Sequence, residues 1–202
     1  MRSKKPRDEN IHCLSCYQRR EICICPILPT VTTRTEFIIL RHIYEAERPS
    51  NTGRLVALAM PNSRIIPCGG GTRIGLLPID DEFLQVPGTW LLWPDGTGTQ
   101  PDMSGLTTPN RVVVIDATWQ QARRLYSSMP ALQVLPRLSL PAPIRSRDRL
   151  RDQHRPDGMS TLEALAAAVT KLEGAELARP LEILYDELVR RTISLRWGRK
   201  QP

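Results

Sequence analysis

Residues 112–121 read Val-Val-Val-Ile-Asp-Ala-Thr-Trp-Gln-Gln, and this stretch decides the fold. The apolar run from Val112 to Ile115 is typical of a buried strand, and it ends in a carboxylate, Asp116. Apolar residues then recur at helical spacing, at Ala122, Leu125, Tyr126 and Met129. A strand, an acid and a helix in this order place the acid at the carboxyl edge of an open α/β sheet, where ligands bind. The stretch alone leaves two interpretations open, a ligand site or a helix cap formed by Asp116 and Thr118.

The rest of the chain alternates short apolar runs with helical segments. Strands are predicted at 37–40, 65–67, 90–93 and, at a sheet edge because of Pro136, at 133–140. Helices are predicted at 51–60 with Ser50 or Asn51 as the cap, at 164–172 after the capping box Ser160-Thr161-Leu162-Glu163, and from Pro180 to about Arg191. This alternation predicts an α/β fold on a parallel sheet.

Composition sets the broad class of the protein. Hydrophobic residues make up 41% of 202 residues, and a chain of this length buries a core without disulfides. No apolar run approaches the ~20 residues of a membrane span. The basic N-terminus lacks the apolar segment of a secretory signal, so we expect a cytoplasmic protein.

The formal net charge is +7, and the excess is clustered. The two clusters are Arg145, Arg147, Arg149, Arg151 and Arg155, and Arg190, Arg191, Arg196, Arg199 and Lys200. Such clusters suit a polyanion, most simply a nucleic acid. The alternative is a solvated basic surface.

Four of the five cysteines lie within thirteen residues, at Cys13, Cys16, Cys23 and Cys25. Four thiolates at this spacing can close a tetrahedral Zn²⁺ site, which would be structural because no coordination position stays open. The alternatives are unrelated reduced thiols, a redox pair or an iron–sulfur cluster. His12 adjoins the group and is a less favoured ligand, and Cys68 lies apart and is expected to be a buried small hydrophobe.

The predicted strand at 37–40 is followed by the polar segment Arg41-His42-x-x-Glu45-x-x-Arg48-x-Ser50-Asn51-Thr52-Gly53-Arg54. Its side chains are of types that bind phosphate, carboxylate or ribose. The segment is equally compatible with a capped helix start that carries surface charges.

Together these segments resemble the DTW-domain proteins, the tRNA-uridine aminocarboxypropyltransferases. The resemblance covers about residues 13–195 and rests on four signatures in order. They are the cysteine knuckle, His42-x-x-Glu45-x-x-Arg48-x-x-Asn51-Thr52, the Asp116-Ala117-Thr118-Trp119 element that names the family, and Ser160-Thr161-x-Glu163-Ala164. It implies a SPOUT-like fold with a C-terminal trefoil knot. It also implies transfer of the 3-amino-3-carboxypropyl group of S-adenosylmethionine to N3 of a tRNA uridine, at position 47 in bacterial relatives, with release of methylthioadenosine.

On this resemblance the site residues are assigned as expectations. The cofactor is expected at three loops, with the residues Pro94, Asp95, Gly96, Thr97, Asp116, Ser160 and Thr161. The catalytic candidates are Asp116, Thr118 and Trp119, with Asp116 either a general base for the N3 proton or an orienting group. Trp119 either stacks on a base or packs against its helix. The expected tRNA contacts are His42, Glu45, Arg48, Asn51, Thr52, Arg54, Arg145, Arg147 and Arg149.

The chain is expected to divide into a disordered segment at 1–10, a zinc knuckle with four cysteine ligands at 11–30, a catalytic domain at 31–195 and a basic tail at 196–202. Both a monomer and a homodimer are compatible with the resemblance. Two rival functions stay open at this point, a SPOUT-type RNA methyltransferase and a non-catalytic zinc-dependent RNA-binding protein.

Overall fold

The computed structural model describes residues 8–69, 81–94, 108–141, 149–150 and 158–198, with side chains as far as residue 196. Within these ranges, five parallel strands form one sheet in the order β2-β1-β4-β3-β5. The strands are β1 Glu36–His42, β2 Ser63–Cys68, β3 Thr89–Leu92, β4 Arg111–Asp116 and β5 Arg137–Leu138. The sequence-based prediction of an α/β fold on a parallel sheet is confirmed.

The two central strands, β1 and β4, are the predicted apolar runs. They pair in register from Glu36 opposite Arg111 to Arg41 opposite Asp116. Their middle residues are almost fully buried, as expected for strands covered on both faces. At the carboxyl edge the register therefore places the side chains of Arg41 and Asp116 beside each other on one face of the sheet.

Six α-helices flank the sheet in the described part of the chain. They are α1 Ile43–Ala46, α2 Gly53–Ala59, α3 Trp119–Ser128, α4 Pro130–Gln133, α5 Thr161–Glu173 and α6 Ala175–Gly198. Helices α2, α5 and α6 share a core with Phe37, Ile39, Val112 and Val114 on one face. Helices α3 and α4 share a second core with Ile38, Leu40 and Val113 on the other face.

The two cores explain where a site can form. The connection after β1 leads to α2 on one face, and the connection after the neighbouring strand β4 leads to α3 on the opposite face. Connections that leave adjacent strand ends in opposite directions open a crevice at the carboxyl edge, the usual ligand position in such sheets. Asp116 is the last residue of β4 and stands at this crevice.

Two predicted helix starts are wrong. Helix α2 begins at Gly53 with Thr52 as its N-cap residue, because Asn51 is engaged across the crevice. Helix α6 begins at Ala175 and contains Pro180 instead of opening with it. Gly174, at φ +105°, ends α5 and lets α6 begin at once. A proline in the sixth position removes only one hydrogen bond of the helix ladder, the one to the carbonyl of Glu176.

The remaining expectations about organisation have mixed outcomes. Strand β5 lies at the sheet edge as predicted, although Gln133 belongs to α4. Cys16 and Ile24 of the knuckle are buried in the same core as α6, so the knuckle packs onto the sheet domain.

The knot stays a prediction, since residues 142–148 and 151–157 lie outside the described part of the chain. None of the helices in the described ranges is long and apolar enough to cross a membrane.

Candidate active site at the carboxyl edge of the sheet

Asp116 joins three segments that are distant in the sequence. Its side chain is only 5% exposed. Oδ2 accepts a hydrogen bond of 2.6 Å from the Asn51 amide, and Oδ1 accepts one of 2.6 Å from the Thr161 hydroxyl. The carboxylate therefore ties the loop before α2 to the first residue of α5, and both distances are at the short end for bonds to a charged acceptor.

A second pair of contacts reinforces this junction. The hydroxyl oxygen of Thr52 accepts a 3.1 Å hydrogen bond from the backbone N–H of Leu162. Asn51 Oδ1 in turn accepts a 3.3 Å bond from the backbone N–H of Arg54. Asn51 and Thr52 are 4% and 3% exposed, so these two predicted tRNA contacts are buried parts of the junction. We call Asn51, Thr52, Asp116 and Thr161 the junction residues.

Position 53 at the junction has no room for a side chain, so glycine is required there. A Cβ atom at this position would lie 2.5 Å from Oδ2 of Asp116 and 3.5 Å from Cγ2 of Ile39. Contacts of 2.5 Å do not occur between such atoms, so any side chain here displaces the Asp116 carboxylate. The close approach of α2 to β4 therefore depends on the missing side chain.

Of the two interpretations of the Asp116–Trp119 element, the helix cap applies to Thr118, whereas Asp116 bonds to other segments of the chain. Thr118 caps α3, because its hydroxyl accepts from the Gln121 N–H at 3.4 Å and the Gln121 side chain accepts from the Thr118 N–H at 2.9 Å. Asp116 bonds across the crevice to Asn51 and Thr161. Ser160 forms the predicted capping box with Glu163 at the start of α5, which leaves Thr161 to face Asp116.

Arg41, on β1 beside Asp116, belongs to the polar segment that the sequence singled out, but it was not among the residues assigned individually to the site. Among the described residues its guanidinium makes no hydrogen bond or ion pair, and its Nε is buried without a partner. Partial burial lowers the pKa of Arg41, and the neighbouring guanidinium of Arg54 lowers it further. The signal was available in the sequence, since Arg41 follows the Phe37–Leu40 strand just as Asp116 follows its neighbour.

His42 lies on the opposite face of β1 from Arg41. Its Nδ1 accepts a 3.3 Å bond from the Tyr44 N–H, and burial lowers the pKa of its ring. Gly69, at φ +78°, packs against the ring so closely that a Cβ would lie 2.4 Å from Cδ2 of His42. The contacts of His42 are thus with its own loop and with the end of β2.

Three other predicted tRNA contacts in this segment bond within the protein. Glu45 is 4% exposed and pairs with Arg48 at 3.2 Å. Arg48 keeps a side chain that is 44% exposed. Arg54 donates a 2.7 Å bond to the carbonyl of Ala46, and its guanidinium lies 3.2 Å from the centre of the Tyr17 ring. Of the three, only Arg48 presents much of its side chain to solvent.

Trp119 begins α3 and belongs to an aromatic group on the α3 side of the sheet. Its ring meets Trp93 edge-on at 6.0 Å, and Trp93 stacks on Tyr126 at 4.7 Å. Trp93 is 6% exposed, and its indole N–H is buried without a hydrogen-bond partner among the described residues. Trp119 itself is half-buried, so one part of its ring packs on the core and another part stays accessible.

The four clustered cysteines have the geometry of a metal site. All four sulfurs lie within 4.8 Å of one another, and the Sγ atoms of Cys13 and Cys25, and of Cys16 and Cys23, are 3.6 and 3.7 Å apart. A tetrahedral zinc–thiolate site with bonds of ~2.3 Å has sulfur–sulfur edges of about 3.8 Å. A disulfide would need ~2.05 Å. The cluster can hold a metal ion, and Cys68 is a free buried thiol elsewhere, as expected.

The knuckle contacts the segment that carries the junction residues. Tyr17, at φ +61°, turns the chain after Cys16 and places its ring against Arg54. The neighbouring Gln18 donates a hydrogen bond from its side chain to the carbonyl of Pro49. Two direct contacts therefore join the knuckle to the loop that leads to the junction residues.

Several predicted site residues cannot be placed. Asp95, Gly96, Thr97, Arg145 and Arg147 lie outside the described residues. Pro94 is described, at the end of the segment that follows β3. Arg149 donates a 2.7 Å bond to the carbonyl of Gly158.

The C-terminal basic cluster is less open to an anion than its sequence suggests. Arg190 and Arg191 both bond to Glu187 at 2.7 Å, and Arg191 also donates to the carbonyl of Cys23. Arg196 donates a 3.0 Å bond to the carbonyl of Leu150. Arg191 and Arg196 therefore hold α6 against the knuckle and the loop before α5, whereas Arg190 bonds to Glu187 within the same helix. The expected basic tail from residue 196 overlaps the end of α6.

Comparison with known proteins gives consistent results. The model of the DTW domain family matches residues 10–193. A Drosophila melanogaster protein named tRNA-uridine aminocarboxypropyltransferase 2 is 29% identical over 192 residues, which cover 90% of this chain and 76% of the relative. The proteins of the same name from Mus musculus and Macaca fascicularis are 26% and 25% identical, over 85% and 89% of this chain and 61% and 64% of their own lengths. No solved structure matches the chain significantly.

Proposed function

The chain belongs to the DTW domain family, and on this premise we propose that it transfers the 3-amino-3-carboxypropyl group of S-adenosylmethionine to N3 of a tRNA uridine. The observation that carries the proposal is the position of the Asp116-Ala117-Thr118-Trp119 element. It stands at the sheet edge where α/β proteins bind ligands, and it is joined there to two other signatures of the family. The relatives named for this activity match most of the chain.

The proposed reaction forms one N–C bond and breaks two bonds, the C–S bond of the donor and the N3–H bond of the uridine. N3 of the uridine bonds to the γ-carbon of the methionyl arm, and the C–S bond breaks with its electron pair passing to sulfur, which releases methylthioadenosine. The N3–H bond also breaks, and its proton passes to solvent water, which is the acceptor when no side chain serves as the base. The donor supplies the activated carbon, so the task of the protein is placement, which can contribute most of the rate enhancement in such a transfer.

The crevice offers groups that fit such a donor. We assign the donor to the loops after β3 and β4 and to the start of α5, with Pro94, Asp116, Ser160 and Thr161 from the described residues. Support comes from the unpartnered Nε of Arg41 and the unpartnered indole N–H of Trp93, which lie at the carboxyl ends of β1 and β3 in the described part of the chain. Asp95, Gly96 and Thr97 complete this assignment from the sequence alone.

Of the two roles considered for Asp116, general base and orienting group, we propose the orienting role. Its two oxygens already accept bonds of 2.6 Å from buried partners, and the residue is 5% exposed. A general base needs to reach the proton that it removes. An orienting Asp116 holds Asn51 and Thr161 in place, while Thr118 fixes the start of α3 and with it the position of Trp119. For Trp119 we propose that its accessible part stacks on a base.

For the tRNA, we propose contacts from His42, Arg48 and the arginines at 145, 147 and 149. Arg48 is the best supported, since its exposed guanidinium lies on the loop that leads to the junction. Glu45 is better explained as the residue that orients Arg48, and Arg54 as the residue that docks the loop on Tyr17. We also propose that Cys13, Cys16, Cys23 and Cys25 bind a structural Zn²⁺ and that the protein acts in the cytoplasm.

The experiment that tests the proposed function is incubation with labelled S-adenosylmethionine and bulk tRNA, followed by mass spectrometry of the nucleosides. The expected products are aminocarboxypropyl-uridine and methylthioadenosine. A methylated nucleoside with S-adenosylhomocysteine would replace this proposal by a methyltransferase. Binding of tRNA with neither product would favour a non-catalytic RNA-binding protein.

A further inference from the structure

We propose that Arg41 is the receptor for the α-carboxylate of the methionyl arm and that it thereby selects which carbon of the sulfonium is attacked. This inference rests on the proposed function and names a ligand contact within the same site. It begins from the side-by-side position of Arg41 and Asp116 at the ends of β1 and β4.

The first observation is that two opposite charges lie in register without bonding to each other. Arg41 and Asp116 are paired positions of neighbouring strands, yet the described residues contain no ion pair between them. The reason is visible at Asp116, whose two oxygens accept from Asn51 and Thr161. The guanidinium is therefore left beside a carboxylate that is already occupied by other donors.

This position is energetically unfavourable for the charged side chain of Arg41. Partial burial disfavours the charged form of Arg41 and the guanidinium of Arg54 adds to this effect, while the charges of Asp116 and Glu47 offset it only in part. A partly buried arginine without a partner is unfavourable unless an anion completes it. The unpartnered Nε shows that the described part of the fold supplies no acceptor of its own at that atom.

The chemistry of the position favours a small carboxylate over an RNA phosphate. Arg41 lies on the same face of the sheet as the buried Asp116, which bonds to the first residue of α5. A planar carboxylate matches the planar guanidinium. The more exposed Arg48 is better placed for the RNA backbone. An amino-acid end offers the carboxylate that the guanidinium of Arg41 lacks, whereas both oxygens of the neighbouring Asp116 are already bonded to Asn51 and Thr161.

A fixed carboxylate would decide the outcome of the transfer. A sulfonium can be attacked at any of its three carbons, and the methyl carbon is the least hindered. With the carboxylate held by Arg41, the methionyl arm is extended along the crevice and its γ-carbon is presented to the acceptor. Arg41 would thus be a binding residue that sets specificity, and the proton transfer would not involve it.

The test compares ligands that differ at the amino-acid end. Isothermal titration calorimetry would measure S-adenosylhomocysteine, which has the carboxylate, and methylthioadenosine, which lacks the whole amino-acid end. In Arg41→Gln, we expect the affinity for S-adenosylhomocysteine to fall about 10- to 100-fold, as for loss of a charge-assisted hydrogen bond. The affinity for methylthioadenosine should stay within about twofold of the wild type. Arg41→Lys should lose part of this difference, since it keeps the charge but not the planar fork.

Arg34→Gln is the matched control, because it removes the same charge from a side chain that is 86% exposed and distant from the crevice. Equal binding of S-adenosylhomocysteine by wild type and Arg41→Gln would overturn the proposal, and so would wild-type protein that binds neither ligand. Loss of tRNA affinity alone in Arg41→Gln would identify a phosphate contact and also overturn it. Failure of the wild type to modify tRNA, with the expected ligand pattern intact, would overturn the proposed function and leave the carboxylate receptor standing.

Discussion

The side-chain amide of Asn51 donates a 2.6 Å hydrogen bond to Oδ2 of Asp116, although the two residues are 65 positions apart. Because both are at most 5% exposed, the bond forms away from competing water. It joins the end of β4 to the loop that leads into α2, and the Thr161 bond to the same carboxylate joins it to α5. The site therefore depends on a contact between segments that no local pattern connects.

Exchanging the two side chains of this bond distinguishes an orienting role of Asp116 from a general-base role. In Asp116→Asn the new amide faces donors from Asn51 and Thr161, so we expect a loss of about 1–3 kcal/mol in unfolding free energy. We also expect transfer to fall at least ~100-fold, as for a site displaced by about an ångström.

The double variant Asn51→Asp with Asp116→Asn restores a donor and an acceptor between the two positions. An orienting role predicts that it regains most of the stability and a measurable part of the transfer rate. A general-base role predicts recovered stability with transfer as low as in Asp116→Asn. Urea unfolding and product formation, measured on the same preparations, distinguish the two.

Gly53→Ala should reverse the usual effect of alanine in a helix. Alanine is favoured over glycine by about 1 kcal/mol inside helices. Here its Cβ would lie 2.5 Å from Oδ2 of Asp116, so we expect destabilisation of about 1–3 kcal/mol, as for an overpacked core, together with reduced transfer.

The same substitution in an Asp116→Ala background provides the control, since the obstructing oxygen is then absent. There, Gly53→Ala should be neutral or stabilising, and the two changes should show a clear coupling energy in a double-mutant cycle. Additive effects of the two substitutions would contradict the contact.

The strands were predictable from the sequence because buried parallel strands are continuous apolar runs. Phe37–Leu40 and Val112–Ile115 needed no long-range information. The order of the strands, in contrast, could not be predicted from the sequence. β4 lies between β1 and β3 because of the crossover connections, and no residue in β4 specifies this position. The start of α6 was also missed, since Pro180 marks a helix start only when no helix former precedes it.

The candidate site was predictable in its residue types but not in its contacts. Asp116, Asn51 and Thr161 stood out in the sequence as polar residues at element ends. That all three bond together follows from the packing of α2 and α5 on the same face of the sheet. Arg41 stood out only as part of the polar segment at 41–54, because a charge at the end of a strand is ordinary and only its neighbours in space make the unpartnered Nε informative.

The stability of α6 should depend on pH through Glu187. Hydrogen bonds from Arg190 and then Arg191 lower the pKa of Glu187 to about 2. A lowered pKa means that the ion pairs stabilise the fold above the ordinary value of ~4.3 and that this stabilisation is lost as the pH falls toward about 2.

We therefore expect Glu187→Gln to be less stable than the wild type by about 1 kcal/mol or less at pH 7, as for a partly exposed pair, and equal to it near pH 2. Urea unfolding between pH 7 and pH 2 measures this difference. Thiolate protonation would release the proposed zinc in acid from both proteins, so only the difference between their profiles is diagnostic. Profiles that remain parallel over the whole range would show that Glu187 contributes nothing through its charge.

Removing the metal from the knuckle should loosen the active-site loop as well as the knuckle. We expect one Zn²⁺ per chain, lost on chelation or in Cys16→Ser, because the four sulfurs form one closed site. Tyr17 and Gln18 would then release Arg54 and the Pro49 carbonyl. Amide hydrogen exchange should accordingly accelerate at residues 8–28 and also at 46–54, while the strands β1 and β4 stay protected.

Cys68→Ala is the control, since this thiol is buried outside the cluster and its loss should leave the zinc content at one per chain. Zinc retained by Cys16→Ser would contradict the four-cysteine site, and unchanged exchange at 46–54 after zinc release would contradict the coupling to the crevice.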